Sequence, residues 1–213
     1  MTPVALALIV AIDVSVSVSA ERYELQRNGV AEAFRAPAVQ RAVRQAGPSG
    51  IAVSVVEWSN RRVAVVPWRF VASSADMHRL AADVEKIQRT SGGATHIGDA
   101  ILYAVGHFAD CACEPERRVI DVSGDGRSNG GARVAEARDL AVAAGVTVNG
   151  LPILEGGYPD LEAHYRVDVI GGLGAFLRVA RTWGDFGQAM TEKLRIEIAG
   201  ARGERELADN DAR

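Results

Sequence analysis

A carboxylate and a row of hydroxyls follow directly on the most hydrophobic stretch of the chain. Residues 4–12 contain no charged side chain, and Asp13, Ser15, Ser17 and Ser19 then alternate with valines. Ser19 has an explanation of its own as the N-cap of a following helix, because a serine side chain accepts a hydrogen bond from the first helical turn. Capping does not explain the other three residues, whose oxygens could bind a metal ion.

Two further oxygen donors lie in glycine-rich stretches later in the chain. Thr95 is part of "SGGATHIG" (91–98), and Asp125 is part of "VSGDG" (122–126). Carboxylates and hydroxyls are hard donors, which Mg²⁺ and Mn²⁺ prefer in octahedral geometry. Two carboxylates close together without a cation would repel each other. We therefore expect a Mg²⁺ site, with Mn²⁺ as the other candidate ion. Its ligands would be Asp13, Ser15, Ser17, Thr95 and Asp125.

The hydrophobic segments predict how these donors come together. Apolar or β-rich runs occur at 4–12, 50–60, 61–71, 117–123, 146–154 and 169–176. Segments with apolar residues at helical spacing lie between and after these runs. Strands that alternate with helices form mostly parallel sheets, which bind ligands beyond the carboxyl ends of their strands. Asp13 and Asp125 each follow such a strand end.

The expected fold is α/β, a Rossmann-like three-layer sandwich with a mostly parallel central sheet, one antiparallel edge strand and helices on both faces. Residues 50–60 and 61–71 form the antiparallel pair, because the link between them is too short for a crossover. Pro67 places the second strand at the edge, since proline has no N–H to donate to a neighbour. We predict one domain over residues 1–200, followed by a charged and disordered tail, 201–213.

Three separated motifs together resemble one known type of domain. "DVSVS" at 13–17 matches the D-x-S-x-S motif of von Willebrand factor A domains, the integrin I-domain type of module. Thr95 and Asp125 match the other two elements of the metal-ion-dependent adhesion site of that family, in the same order along the chain. Further segments resemble an uncharacterised bacterial family of such domains. These segments are "ERYELQRNGVAEAFR", "RRVIDVSGDG", "VNGLPI" and "VIGGLGAF".

The resemblance implies a role for each candidate ligand. In that family the serine and threonine hydroxyls ligate the metal directly, which would apply here to Ser15, Ser17 and Thr95. The aspartates act directly or through water, which would apply to Asp13 and Asp125. One metal position is open and takes a carboxylate from a partner protein. The implied function is therefore metal-dependent protein binding, with an unidentified partner that supplies an Asp or Glu.

An enzyme is the alternative interpretation of the same residues. A phosphotransferase that forms an aspartyl phosphate also has an aspartate after its first strand. That chemistry needs a second acid two residues later, where this chain has Ser15, and a lysine near the phosphate. The only lysines are Lys86 and Lys193, both in predicted helices. We predict that the protein is not an enzyme, and a metal-dependent hydrolase or phosphatase is the alternative.

Two other ligand sites are not supported by their motifs. A structural zinc ion needs four ligands, and His107, Cys111 and Cys113 supply three at most. We expect the two cysteines to lie at a helix end, and they are too few for a disulfide scaffold. The segment "SGDGRSNGG" precedes a predicted helix but lacks both the P-loop pattern and G-x-G-x-x-G, so we do not predict a nucleotide site.

Charge and hydropathy limit the partners. The formal net charge is −3, which gives no basic surface for nucleic acid. No stretch of 18 or more apolar residues is present, so we predict no membrane span. The first apolar run is not preceded by Lys or Arg, which argues against a secretion signal. We therefore expect a cytoplasmic location for the chain as written, although related domains are often exported.

Overall fold

A five-stranded sheet forms the centre of the protein. The computed structural model describes residues 1–90 and 92–211, with side chains up to residue 200. The strands in this part of the chain are β1 Thr2–Val4, β2 Leu6–Asp13, β3 Ile51–Trp58, β4 Arg62–Val71, β5 Cys113–Pro115, β6 Arg118–Gly124 and β7 Val146–Pro152. The central sheet has the order β4-β3-β2-β6-β7. Its strands are parallel except for β4, which is antiparallel to β3.

Helices cover both faces of this sheet. Their bounds are α1 Ala20–Arg35, α2 Pro37–Gln45, α3 Ser74–Glu85, α4 Ile97–His107, α5 Val134–Ala143, α6 Leu161–His164 and α7 Phe186–Asp211. Helix α1 packs against α3 and α7, whereas α4 packs against α5. The predicted α/β three-layer class, with β4 as its antiparallel edge strand, is confirmed.

The central strand β2 is buried on both faces, which explains why its sequence lacks polar alternation. Leu8 and Val10 belong to one hydrophobic cluster, and Ile9 and Ala11 belong to the other. All eight residues of β2 are buried. This arrangement is typical of parallel strands that helices cover from both sides.

The predicted N-cap at Ser19 is found, and two further helix starts are defined by proline and by a capping box. The Ser19 hydroxyl accepts a hydrogen bond from the Arg22 N–H at 3.3 Å, as an N-cap does. Pro37 opens a separate helix, α2, rather than continuing α1. Thr182 forms a capping box with Asp185 in a 3₁₀ turn that leads into α7.

The prediction of a last strand over 169–176 is wrong. Residues 165–169 form a π-helical turn, and the segment after it makes only isolated bridges with β7, such as the one between Gly171 and Val148. Gly172 and Gly174 have φ values of 98° and 69°. A continuous strand cannot form through residues in this left-handed region, so the chain follows β7 in short turns.

The two cysteines form a bond that the sequence did not lead us to expect. Cys111 and Cys113 are joined by a disulfide, directly after a 3₁₀ turn that ends α4. Cys113 begins β5, which pairs in parallel with β1 in a separate two-stranded sheet. Because both sulfur atoms are in this bond, neither is available as a thiolate for zinc.

Helix α7 is interrupted by a kink at Gly200, whose φ of 66° and ψ of 175° are not helical. The side chains of 201–211 and residues 212 and 213 lie outside the described residues, so the disordered tail stays a prediction. In the described part of the chain, no helix combines the length and the apolar character needed to cross a membrane.

Candidate metal centre

Four of the five predicted ligands form a continuous chain of hydrogen bonds at the carboxyl end of the sheet. The backbone N–H of Ser15 donates to Asp13 Oδ1 at 2.7 Å. The hydroxyls of Ser15 and Ser17 are 3.1 Å apart, and the Ser17 hydroxyl donates to Asp125 Oδ1 at 2.6 Å. Strands β2 and β6 are parallel neighbours, so the residues that follow them emerge at the same edge. We call this group of residues, together with Thr95, the metal edge.

Thr95 is held at the same edge through backbone contacts. The N–H of Val16 donates to the carbonyl of Gly93 at 3.0 Å, which ties the Thr95 loop to the serine loop. The Thr95 N–H donates to Asn129 Oδ1 at 2.8 Å, and the Asn129 N–H donates back to the Thr95 carbonyl at 2.9 Å. The loops that carry Asp13, Thr95 and Asp125 are thus joined in a ring.

The carboxylates of this edge are shielded from water, and one of their oxygens has no hydrogen-bond partner in the described structure. Asp13 and Asp125 are both fully buried. Burial, with a smaller contribution from Asp125, raises the pKa of the Asp13 carboxyl to about 7, although the hydrogen bond from Ser15 opposes the shift. Asp13 Oδ2 has no hydrogen-bond partner among the described residues. A buried oxygen left in this way is costly, and a cation beside it would remove the cost.

A tyrosine closes the inner side of the edge. Tyr165 is fully buried, and its hydroxyl has no hydrogen-bond partner within the described residues. Burial, then the nearby Asp13 and Asp125 carboxylates, raise the Tyr165 pKa well above its usual value, so the ring is neutral. Gly124 is required between these groups, because a Cβ there would lie 2.9 Å from the tyrosine hydroxyl and 3.0 Å from Asp13 Oδ2.

Two buried polar residues that the sequence did not single out position the Asp13 loop and the Thr95 loop. Gln26 of α1 donates to the Asp13 carbonyl at 2.8 Å and accepts from the Ser123 hydroxyl at 3.0 Å. Glu57 of β3 accepts from the Tyr23 hydroxyl and from the N–H and hydroxyl of Thr90, the latter two at 2.8 and 2.6 Å. An acid inside the apolar run of β3 was the available signal for Glu57.

The rim residues are engaged in pairs. Arg127 contacts Asp160 at 2.6 Å, and His96 Nδ1 lies 3.1 Å from Asp99 Oδ2. Arg22 of α1 is 3.5 Å from Asp125 Oδ2 and is the arginine that reaches a carboxylate of the metal edge. His96 thus contacts the first turn of its own helix, α4.

The donor set fits a hard divalent cation. Two carboxylates and two serine hydroxyls are linked by hydrogen bonds, the Thr95 loop is tied to them through its backbone, and one buried carboxylate oxygen has no partner in the described structure. No group of three His, Cys, Asp or Glu side chains suited to a metal is found in residues 1–90 and 92–200. An ion at this edge would therefore need hydroxyl ligands, which suits Mg²⁺ better than softer metals.

Comparison with solved structures defines the fold. PTMP1 from the mussel byssus matches with a TM-score of 0.65 and 18% identity, over 91% of this chain and 46% of that one. A von Willebrand factor type A protein from Catenulispora acidiphila matches with a TM-score of 0.65 and 16% identity, over 90% and 42%. The von Willebrand factor domain of the pilus tip protein Mfa5 from Porphyromonas gingivalis matches with a TM-score of 0.63 and 11% identity, over 90% and 94%.

These matches and the strand order define the fold as that of a von Willebrand factor A domain. The chain spans less than half the length of the mussel and Catenulispora chains. The chain belongs to the family described as "Protein of unknown function (DUF1194)", whose model matches residues 3–202. It has no match among the curated proteins.

Proposed function

We propose that the domain binds one divalent metal ion at the metal edge and uses it to capture a carboxylate of a partner protein. Mg²⁺ is the expected ion and Mn²⁺ the other candidate. The observation that carries this proposal is the chain of hydrogen bonds from Asp13 to Asp125, in which two fully buried carboxylates meet and Asp13 Oδ2 has no partner in the described structure.

The residues of the metal edge have different roles in this proposal. Ser15, Ser17 and Thr95 offer neutral hydroxyls, and Asp13 and Asp125 offer the negative charge. Gln26 and Glu57 hold the loops, so the donors are positioned before an ion arrives. When bound, the ion supplies a positive charge that attracts an incoming carboxylate. That contact is strengthened because the inner side of the edge excludes water.

A neighbour in the structural comparison supports the choice of metal binding. A mussel PTMP1 structure is described as having a zinc-occupied MIDAS motif, with a TM-score of 0.64 and 17% identity to this chain. The likeness is one of fold, so the metal site of this chain rests on its own donors. Zinc joins Mg²⁺ and Mn²⁺ as an ion to be compared in the same titration.

The placement of the two lysines argues against the enzyme alternative. Lys193 is fully buried in α7, where it contacts Asp121 and Glu197. Lys86 is exposed at the end of α3. Neither lysine lies among the contacts of the metal edge, so an aspartyl-phosphate mechanism would have no lysine there. Hydrolysis of p-nitrophenyl phosphate with and without Mg²⁺ tests the hydrolase alternative, and we expect none above the rate with buffer alone.

Metal binding is tested by titration calorimetry of the domain with Mn²⁺, Mg²⁺, Zn²⁺ and Ca²⁺. We expect a single site per chain for Mn²⁺ and Mg²⁺, and weaker Ca²⁺ binding because Ca²⁺ prefers longer bonds and more oxygens. Absence of Mn²⁺ and Mg²⁺ binding would contradict the proposal.

The carboxylate half is tested with the Mn²⁺-loaded domain and a small probe. N-acetylglutamate should displace a metal-bound water and lower the water-proton relaxation rate, whereas N-acetylglutamine, the matched neutral probe, should leave it unchanged. Equal effects of the two probes would show that no carboxylate is captured. The cytoplasmic location expected from the sequence stays a prediction.

A further inference from the structure

Arg22 occupies an unusual place beside the metal edge. Its Nη1 atom is 3.5 Å from Asp125 Oδ2 and donates to the Ser17 carbonyl at 3.1 Å. Its guanidinium thus contacts two residues of the proposed metal site, one through the side chain and one through the backbone. Arg22 is 31% exposed, so it reaches inward from the rim of the domain.

The same guanidinium has a second set of partners further out. Its Nη2 atom is 3.9 Å from Glu155 Oε1, and its central carbon lies 5.7 Å from the centre of the Trp183 ring. Glu155 is itself fixed, because its Oε2 accepts from the Trp183 N–H of the backbone at 2.8 Å. Outward of Asp125, therefore, a carboxylate and an aromatic face are already in place for a cation.

The position of Arg22 is explained by the charges that surround Asp125 without and with a metal ion. Without a metal ion, Asp125 is a fully buried carboxylate, and Arg22 supplies the nearest positive charge given by the described structure. With a divalent ion on the edge, the same guanidinium would lie close to a double positive charge. Coulomb repulsion at such distances is strong where water is partly excluded.

We propose that Arg22 is a built-in counter-ion of the metal edge, which holds Asp125 in the metal-free domain and moves to Glu155 and Trp183 when the ion binds. This inference rests on the proposed function, since it concerns the regulation of the same site. Arg22 and the metal ion compete for Asp125, so the affinity for the ion is set lower than the oxygen donors alone would give. The domain would then respond to changes in the concentration of the ion rather than remain saturated.

The sign of one mutational effect tests this inference. Arg22→Gln should tighten Mn²⁺ binding about 3- to 10-fold in titration calorimetry, because it removes the competing charge. Simple damage to the loop would weaken binding instead. Arg22→Lys keeps the charge and should stay closer to the parent. Arg41→Gln removes the same charge from an exposed position of α2 and should leave the affinity within about twofold, as expected for a screened surface charge.

The movement itself can be followed by NMR with ¹⁵N-labelled arginine. The Nε signal of Arg22, assigned by its loss in Arg22→Gln, should shift when Mg²⁺ is added, whereas the Nε signal of Arg41 should not. Arg22→Gln with unchanged or weaker Mn²⁺ affinity and an intact circular dichroism spectrum would overturn the inference and leave the proposed function standing. No Mn²⁺ binding by the parent domain would overturn both.

Discussion

Among the described residues, two pairs of carboxylates are buried, and the cations beside them differ. One pair, Asp13 and Asp125, lies at the metal edge. The other pair, Asp121 and Glu197, lies under α7 with Lys193 between them, and we call these three residues the inner charge cluster. Lys193 Nζ is 3.0 Å from Asp121 Oδ1 and also contacts Glu197 Oε1, and all three side chains are buried.

The inner charge cluster carries its cation within the chain. Asn149 donates to Glu197 Oε1 at 2.8 Å, and the Lys193 ammonium lies 4.8 Å from the centre of the Phe176 ring. Burial raises the pKa of Asp121 to about 7, which reduces the remaining negative charge. At the metal edge, the half-exposed Arg22 lies 3.5 Å from Asp125 Oδ2, and Arg89 donates to the carbonyls of Val14 and Ser15 rather than to a carboxylate. The contrast supports the proposed function, in which the inner pair is compensated within the chain and the pair at the metal edge would accept a cation from outside.

The largest effect is expected where the inner cation is removed. Lys193→Met should lower the free energy of unfolding by about 3–5 kcal/mol, because it leaves two buried carboxylates without their partner. Urea unfolding followed by circular dichroism measures the loss. Lys86→Met, at an exposed position, is the matched control and should change stability by less than about 0.5 kcal/mol. A small loss for Lys193→Met would show that the cluster does not depend on its ammonium.

The second effect is a pH dependence that separates the two pairs. The raised pKa values of Asp13 and Asp121, each about 7, mean that the folded metal-free protein binds more protons than the unfolded chain between about pH 4 and pH 7. Its free energy of unfolding should therefore fall as the pH rises through this range, by on the order of 2–4 kcal/mol for each carboxyl.

Two further measurements show how much of that pH dependence each carboxyl causes. Asp13→Asn should remove the part of the pH dependence that Asp13 causes and leave the part that Asp121 causes. Saturating Mg²⁺ should also remove the part of the pH dependence that Asp13 causes, since the ion favours the ionised carboxylate. Urea unfolding at several pH values gives both results. A pH profile that is the same in the parent and in Asp13→Asn would contradict the assignment.

A third effect concerns the hydroxyls of the metal edge. Thr95→Val replaces a hydroxyl by a methyl group of similar shape, so it should keep the fold and weaken Mn²⁺ binding about 10- to 100-fold. Thr147→Val makes the same chemical change near the start of β7, away from the metal edge, and should leave the affinity unchanged. Calorimetry and circular dichroism measure the two variants. Parent-like Mn²⁺ affinity in Thr95→Val would remove this residue from the site.

The smallest effect is expected for an exposed ion pair. Arg127 and Asp160 are 47% and 55% exposed at their side chains. Arg127→Gln should therefore change the free energy of unfolding by less than about 1 kcal/mol. A larger loss, measured by the same urea unfolding, would mean that the rim of the metal edge contributes to stability in the way that the inner charge cluster does.

The sequence predicted the features that depend on short-range pattern. The serine motif, the N-cap at Ser19 and the edge position of β4 follow from local residue types, and the structure has them. The three-layer fold also followed, because the alternation of strands and helices allows few topologies. Whether the gathered side chains bind a metal stays a prediction.

The remaining features depend on contacts that no local pattern encodes. Glu57 meets Thr90 from a strand 33 residues away, and Gln26 meets Ser123 across 97 residues. The inner charge cluster joins β6 to α7, and from the sequence Lys193 was only one of two lysines on predicted helices. The last strand was predicted wrongly because the apolar composition of 169–176 is typical of a strand, whereas two of its glycines have positive φ values.

The ring of loops at the metal edge is assembled from distant parts of the chain. Ser17 meets Asp125 across 108 residues, and Thr95 enters from a third segment. Contacts of such high sequence separation form late, because the entropy of closing the intervening chain must be lost first. An ion that binds only the finished ring stabilises the folded state and not the transition state for folding. The ion would therefore lengthen the lifetime of the folded domain and leave the rate at which it folds unchanged.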